Sequence, residues 1–170
     1  MTMLTVIGGG GYAGSHIVEA AVVRGLDVRC FTRGEAAEQM AGVGYLRGSI
    51  LEAADRARML AGTDVAIVSI SPRGGMAGRV RPAVADLARE AAEAGVRLGV
   101  IGGAGSLLQR EGGPLVMEGD DFPDEIKAEA AEMSGVLDDL RAAPAQLDWF
   151  YVSPAGGFGP WAAGEYRGEY

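Results

Sequence analysis

Short apolar runs alternate with helix-spaced apolar stripes along the chain, and that alternation predicts repeated strand-helix units around a buried sheet. Met3-Leu4-Thr5-Val6-Ile7 opens as a strand, and after a run of glycines Ser15 to Val23 reads as a helix that Gly25 ends. Val28-Arg29-Cys30-Phe31-Thr32 and Val43-Gly44-Tyr45-Leu46-Arg47-Gly48 are β-branched and aromatic enough for the next two strands. Ser49-Ile50-Leu51-Glu52 fits the S-x-x-E capping box, after which Ile50, Ala53, Ala54, Ala57 and Leu60 share one helical face as far as Gly62. Asp64 to Pro72 is almost continuously apolar, the pattern of a central parallel strand covered on both sides. Val80, Val84, Leu87, Ala91 and Ala94 form the next stripe, closed by Gly95, and Val96 to Ile101 is a fifth strand. Asp121-Phe122-Pro123-Asp124 supplies a helix start, with Ile126, Ala130, Met133, Leu137 and Leu140 in register up to Arg141. Leu147 to Val152 is the sixth strand, in which Trp149 and Tyr151 read as packing residues.

The pattern predicts an α/β, Rossmann-type doubly wound parallel sheet in three α/β/α layers, strand order 3-2-1-4-5-6, with residues 1–170 forming a single domain. The 48% hydrophobic content suits one sizeable core at this length. A net charge of −8 argues against nucleic acid or an anionic membrane as a partner. Cys30 is the only cysteine and lies in an apolar strand, so it reads as core, and a reducing cytoplasmic location is expected. No apolar run approaches ~20 residues and no basic segment precedes the first strand, so neither a spanning helix nor a signal peptide is expected.

The candidate chemistry begins at Gly8-Gly9-Gly10-Gly11-Tyr12-Ala13-Gly14, between the first strand and the first helix. Gly8, Gly11 and Gly14 give G-x-x-G-x-x-G, and Gly10 also allows the G-x-G-x-x-G/A form with Ala13 in its last place. Such glycines permit a sharp turn, let a pyrophosphate approach the backbone and allow close helix–strand packing, while the helix N-terminus attracts the anion. No Gly-Lys-Ser/Thr follows, which disfavours a P-loop. Thr32 and Arg33 end the second strand, where an arginine pairs with a 2′-phosphate; NADP is therefore preferred, and Glu35 keeps NAD open. Ser49 and Ile50 are secondary candidates for the adenine side, and Ser69, Ile70 and Ser71 border the cofactor across the switch point. Arg73 either reaches a phosphate or stands idle on a surface loop. The small residues of Gly102-Gly103-Ala104-Gly105-Ser106-Leu107 suit a nicotinamide ring close to the backbone, with Ser106 available to a substrate, and residues 109–120 read as a loop over the pocket. Lys127 is the single lysine among 15 basic residues and lies near the expected reaction centre, its alternative being an ordinary surface lysine.

These segments, with Asp121-Phe122-Pro123 and Leu147-Asp148-Trp149 leading to Ser153-Pro154, resemble the NAD(P)H-binding, NmrA-like branch of the atypical short-chain dehydrogenase/reductases, which includes flavin reductases similar to biliverdin reductase B. The resemblance covers almost the whole chain. It implies a pyrophosphate held by Gly8, Gly11, Tyr12, Ala13 and Gly14, a 2′-phosphate on Arg33, Ser153 in the cofactor set, and Ser106 and Lys127 on the reaction side. Two departures stand out. Typical members use Tyr-x-x-x-Lys, in which the lysine lowers the tyrosine pKa; here Pro123 occupies the tyrosine place, and Ile126 stands where this branch often has a tyrosine before the lysine. Relatives also continue beyond residues 164–167, which implies a shortened substrate portion here. The expected function is hydride transfer from NADPH to a flavin, quinone or similar small acceptor. The alternative is a non-catalytic dinucleotide sensor acting through a protein partner. An unfinished sheet edge beside Trp161 favours a homodimer.

Overall fold

A computed structural model describes residues 2–35 and 39–162 of the chain. Its elements run β1 (Met3–Ile7), α1 (Tyr12–Val23), β2 (Asp27–Thr32), β3 (Val43–Arg47), α2 (Ala53–Leu60), β4 (Val65–Val68), α3 (Val80–Ala94), β5 (Arg97–Ile101), α4 (Asp124–Arg141) and β6 (Trp149–Val152). All six strands are parallel in the order β3-β2-β1-β4-β5-β6, as the sequence pattern predicts. The chain turns back at β1, so the C-terminal ends of β1 and β4 lie side by side where a doubly wound sheet opens its crevice.

The two-residue period of the strands divides the core. Leu4, Val6, Val28 and Cys30 pack with Val18 and Ala21 of α1 on one face. Ile7, Phe31, Ala66, Val68, Leu98 and Val100 pack on the other, against α2, α3 and α4. Cys30 is fully buried, and burial raises its thiol pKa while a hydrogen bond to Gly9 partly offsets this, so it behaves as an apolar filler. Among the described residues no helix is long and apolar enough to cross a membrane.

Three sequence expectations are corrected. First, Ser49 does not cap α2: Glu52 occupies that position with extended backbone, and Ser49 lies in the preceding turn. The Ser49 N–H donates instead to Asp55 Oδ2 at 2.8 Å, and that bond, with help from Arg58, holds the Asp55 carboxyl below its ordinary pKa. Second, the buried face of α2 carries Arg56, Met59 and Leu60, whereas Ala53, Ala54 and Ala57 face solvent. Alanine buries too little area to orient a helix against methionine and leucine. Third, β4 ends at Val68 instead of running to Pro72; beyond it the Ser69 N–H still donates to the Ile7 carbonyl at 2.8 Å, and the chain then bends away at the crevice. In α4 the stripe holds from Ala130 onward, while Ile126 is exposed.

Candidate functional site

The sheet supplies two close backbone approaches at its crevice. Gly8 has φ of +92°, and a Cβ there would overlap the Ser69 carbonyl oxygen of the neighbouring strand end. Gly14 lies in the first turn of α1, where a Cβ would overlap the Gly8 carbonyl oxygen and sit 2.7 Å from Gly9 Cα. The glycine turn therefore fits directly onto β4 and draws the start of α1 down onto it. Gly11 caps α1 without a side-chain hydrogen bond, and no acidic side chain lies in the first turn. That N-terminus keeps its positive potential available to an anion.

A cleft of about 410 Å³ opens over this turn. Gly8, Gly10 and Gly11 form its floor; Phe31, Thr32, Arg33, Gly34 and Glu35 come from the end of β2, and Gly48 and Ile50 from the end of β3. Ser69, Ile70, Ser71, Arg73 and Met76 complete it from beyond β4. The structure thus gathers Gly8, Gly11, Thr32, Arg33, Ile50, Ser69, Ile70 and Ser71 around one space. Thr32 Oγ1 donates to the Gly34 carbonyl and shapes the turn that bears Arg33. Ile50 is fully buried at the wall of the cleft, and the Arg56 guanidinium donates to its carbonyl at 3.0 Å. Tyr12, Ala13 and Gly14 stand beside the cleft in the first turn of α1, and Ser49 lies between two lining residues without facing the space. A larger groove of about 560 Å³ between α3 and α4 is mostly apolar, although Arg89, Glu93, Asp139 and Gln146 border it, and it shares no residue with the glycine turn, so it is not the candidate site.

The expected reaction side is arranged differently from the sequence expectation. Ser106 Oγ donates to the Gly103 carbonyl at 2.8 Å and lies 2.8 Å from Ser153 Oγ, so the two serines form one hydroxyl pair at the ends of β5 and β6. The missing side chain of Gly102 makes room for the Tyr151 ring, and that of Gly105 for Ala130. Only Gly103 has open space around it in that glycine cluster. Lys127 is outside the cleft lining; it is half-exposed and pairs with Asp124 at 2.9 Å. Tyr151 donates to the Met133 carbonyl at 2.9 Å, and burial raises its pKa, which the Ser106 hydroxyl and Gly103 backbone only partly offset. A tyrosine held this way is not activated as an acid or base. Tyr151→Phe is accordingly expected to cost about 1 kcal/mol of stability and change turnover less than about twofold; a turnover loss beyond about a hundredfold, measured alongside the thermal midpoint, would make Tyr151 the proton donor.

The sequence reading missed two carboxylates. Glu129 accepts from Ser71 Oγ at 3.1 Å and from Arg73 Nε, and Glu132 accepts from the backbone N–H groups of Gly78, Val80 and Arg81 at 2.6, 2.7 and 3.1 Å. Glu132 thereby caps α3 from a neighbouring helix, since Arg79 at its own cap makes no side-chain bond. Nothing local in the sequence marks either pairing, because the partners lie more than 50 residues apart.

The fold and this cleft together define a nicotinamide-dinucleotide-binding Rossmann protein. The chain belongs to the NAD(P)H-binding family, whose model matches residues 8–167. It is 30% identical to the uncharacterised protein YwnB of Bacillus subtilis over 97% of this chain and 76% of that protein. Among solved structures it is similar to a proposed NADH-flavin reductase from Streptococcus pneumoniae, at 32% identity and a TM-score of 0.73, covering 99% of this chain and 78% of that one. A Burkholderia pseudomallei protein proposed to be exported matches at 30% identity and a TM-score of 0.79, over 92% of this chain and 73% of its own. The resemblance to the atypical short-chain dehydrogenase/reductases that the sequence suggested is therefore upheld.

Proposed function

We propose that the protein is an NADPH-dependent reductase that delivers hydride to a flavin, quinone or similar small acceptor. The observation that carries this reading is the cleft itself: an unneutralised helix N-terminus over a glycine turn, with Arg33 on the wall at the end of β2. A bound reduced nicotinamide would supply the hydride. The chain's part is to seat the pyrophosphate on the backbone of Gly8 to Gly14, take the 2′-phosphate on Arg33 and hold the adenine against Ile50. The Ser106–Ser153 hydroxyl pair lies beyond the lining of the cleft, at the ends of β5 and β6, on the side where the acceptor would approach. Neither Lys127 nor Tyr151 is set up as an acid, which suits an acceptor that takes a hydride from the nicotinamide and its one proton from water. The flavin assignment borrows support from the Streptococcus pneumoniae relative; the preference for NADPH rests on Arg33 alone.

The same unactivated tyrosine also suits the alternative reading, a sensor that binds the dinucleotide and passes its occupancy to a protein partner. NADPH oxidation on adding FMN to the purified chain separates the two, since a sensor binds without oxidation. Within either reading, Arg33→Ala is expected to weaken NADPH binding by about 1–3 kcal/mol and leave NADH within about twofold. Equal weakening of both in a fluorescence titration would remove Arg33 from the 2′-phosphate.

A further inference from the structure

Arg73 and Ser71 follow the end of β4 on the wall of the cleft, and one carboxylate holds both. Glu129 of α4 accepts from Ser71 Oγ through Oε1 and from Arg73 Nε through Oε2. The bond to Arg73 uses only the inner nitrogen of the guanidinium. Among the described residues its two terminal nitrogens make no hydrogen bond, which leaves the forked end that matches a phosphate.

The setting is more than an exposed ion pair. The segment from Ser71 to Arg81 carries Gly74 and Gly78 at φ of +55° and +71°, and a loop so rich in glycine would not hold a long arginine in one place by itself. It is fastened to α4 at both ends, by Glu129 at Ser71 and Arg73 and by Glu132 at Gly78, Val80 and Arg81. The Glu129 side chain is 24% exposed and that of Arg73 60%, so the acid is the more buried partner and the arginine it holds stays accessible to a ligand in the cleft it lines.

We propose that Glu129 is a positioning residue for the dinucleotide: it fixes Arg73 on the cleft wall so that the terminal nitrogens of the guanidinium meet the pyrophosphate opposite the start of α1. This rests on the dinucleotide reading above. Glu129 never touches the ligand. Its effect is to lower the ordering that Arg73 must undergo on binding, because the rotamers of the arginine are already restricted by the bond at Nε.

The test is a double-mutant cycle read as the dissociation constant for NADPH by fluorescence titration, with wild type, Glu129→Gln, Arg73→Ala and the double variant. Competition by 2′-AMP, which lacks the pyrophosphate, is measured in parallel. Arg73→Ala is expected to weaken NADPH about tenfold and Glu129→Gln about threefold to fivefold, with the double variant no weaker than Arg73→Ala alone. The affinity for 2′-AMP stays unchanged throughout. If Glu129→Gln weakens NADPH equally when Arg73 is absent, Glu129 supports the loop without acting through the arginine, and the proposal is overturned. No change, or tighter binding, in Glu129→Gln alone overturns it as well, the latter by showing that Glu129 competes with the phosphates. Should Glu129→Gln lower the thermal midpoint, Glu129→Asp keeps the charge, shortens the reach and serves in the same cycle with the same expectation. A folded wild type that fails to bind NADPH would instead overturn the dinucleotide reading itself.

Discussion

Gly14→Ala is expected to weaken NADPH binding by about a hundredfold or more while costing about 1–3 kcal/mol of stability. The atoms that a Cβ at Gly14 would meet are the Gly8 carbonyl oxygen, Gly9 Cα at 2.7 Å and the Gly8 carbonyl carbon at 3.0 Å. All are backbone, so none can swing aside as a side-chain end would. Gly8 has little room to retreat either, because the space where its Cβ would stand is already taken by the Ser69 carbonyl of the adjacent strand end, at a backbone angle that favours glycine. The only relief is for the start of α1 to lift away from the turn. That movement takes the free N–H groups of the first turn out of register with any pyrophosphate on Gly8 and Gly11, and several hydrogen bonds to the anion weaken together. Gly44→Ala is the matched control: its Cβ would lie 3.5 Å from Arg29 Cγ, an ordinary contact, and stability is expected to change by less than about 0.5 kcal/mol. The two variants are compared by thermal midpoint and by NADPH titration. A folded Gly14→Ala chain that binds within about threefold of wild type would mean that the dinucleotide does not sit on this turn.

The glycine turn was legible because its physics is local. A strand, a run of residues without side chains and a helix follow one another directly, and the closing glycines of the helices, such as Gly25, Gly62 and Gly95, show the positive φ their positions suggested. The sheet order followed for the same reason, from apolar runs that only a buried parallel sheet explains. What escaped the sequence was set by partners distant in the chain. Asp55 draws the Ser49 N–H and so moves the start of α2. Tyr151 fills the space that Gly102 leaves, so a stretch of small residues that looked like room for a ring is room for the protein's own ring. Glu129 and Arg73 carry no periodicity that could announce their pairing. The clearest case is α2, where a stripe of alanines pointed to one face and the protein buried another, with an arginine in its middle.

That arginine carries the second large effect: Arg56→Ala is expected to lower stability by about 3 kcal/mol, or roughly 6–12 °C in thermal midpoint for a chain of this size. Arg56 is 5% exposed. Its Nε donates to Glu90 Oε1 and Oε2 at 3.2 and 3.0 Å, its Nη2 to Oε1 at 2.9 Å, and its Nη1 to the Ile50 carbonyl at 3.0 Å. Asp86 adds a longer contact of 3.5 Å. Truncation leaves the Glu90 carboxylate and the Ile50 carbonyl without their donor in a confined place, and this desolvation, more than the loss of attraction, makes the change costly. It also frees Ile50, which lines the cleft, so NADPH is expected to bind several-fold more weakly even in the folded variant. Pairing the change with removal of the acid separates these two consequences. Arg56→Met together with Glu90→Leu replaces both charges by apolar groups and is expected to recover most of the lost stability, because no charge is then left unpartnered. Binding should not recover with it, since methionine has no donor for the Ile50 carbonyl. Recovery of both would show that Arg56 serves only the packing of α2 on α3; recovery of neither would place the main role of Arg56 at Ile50 and make the bond to Glu90 secondary.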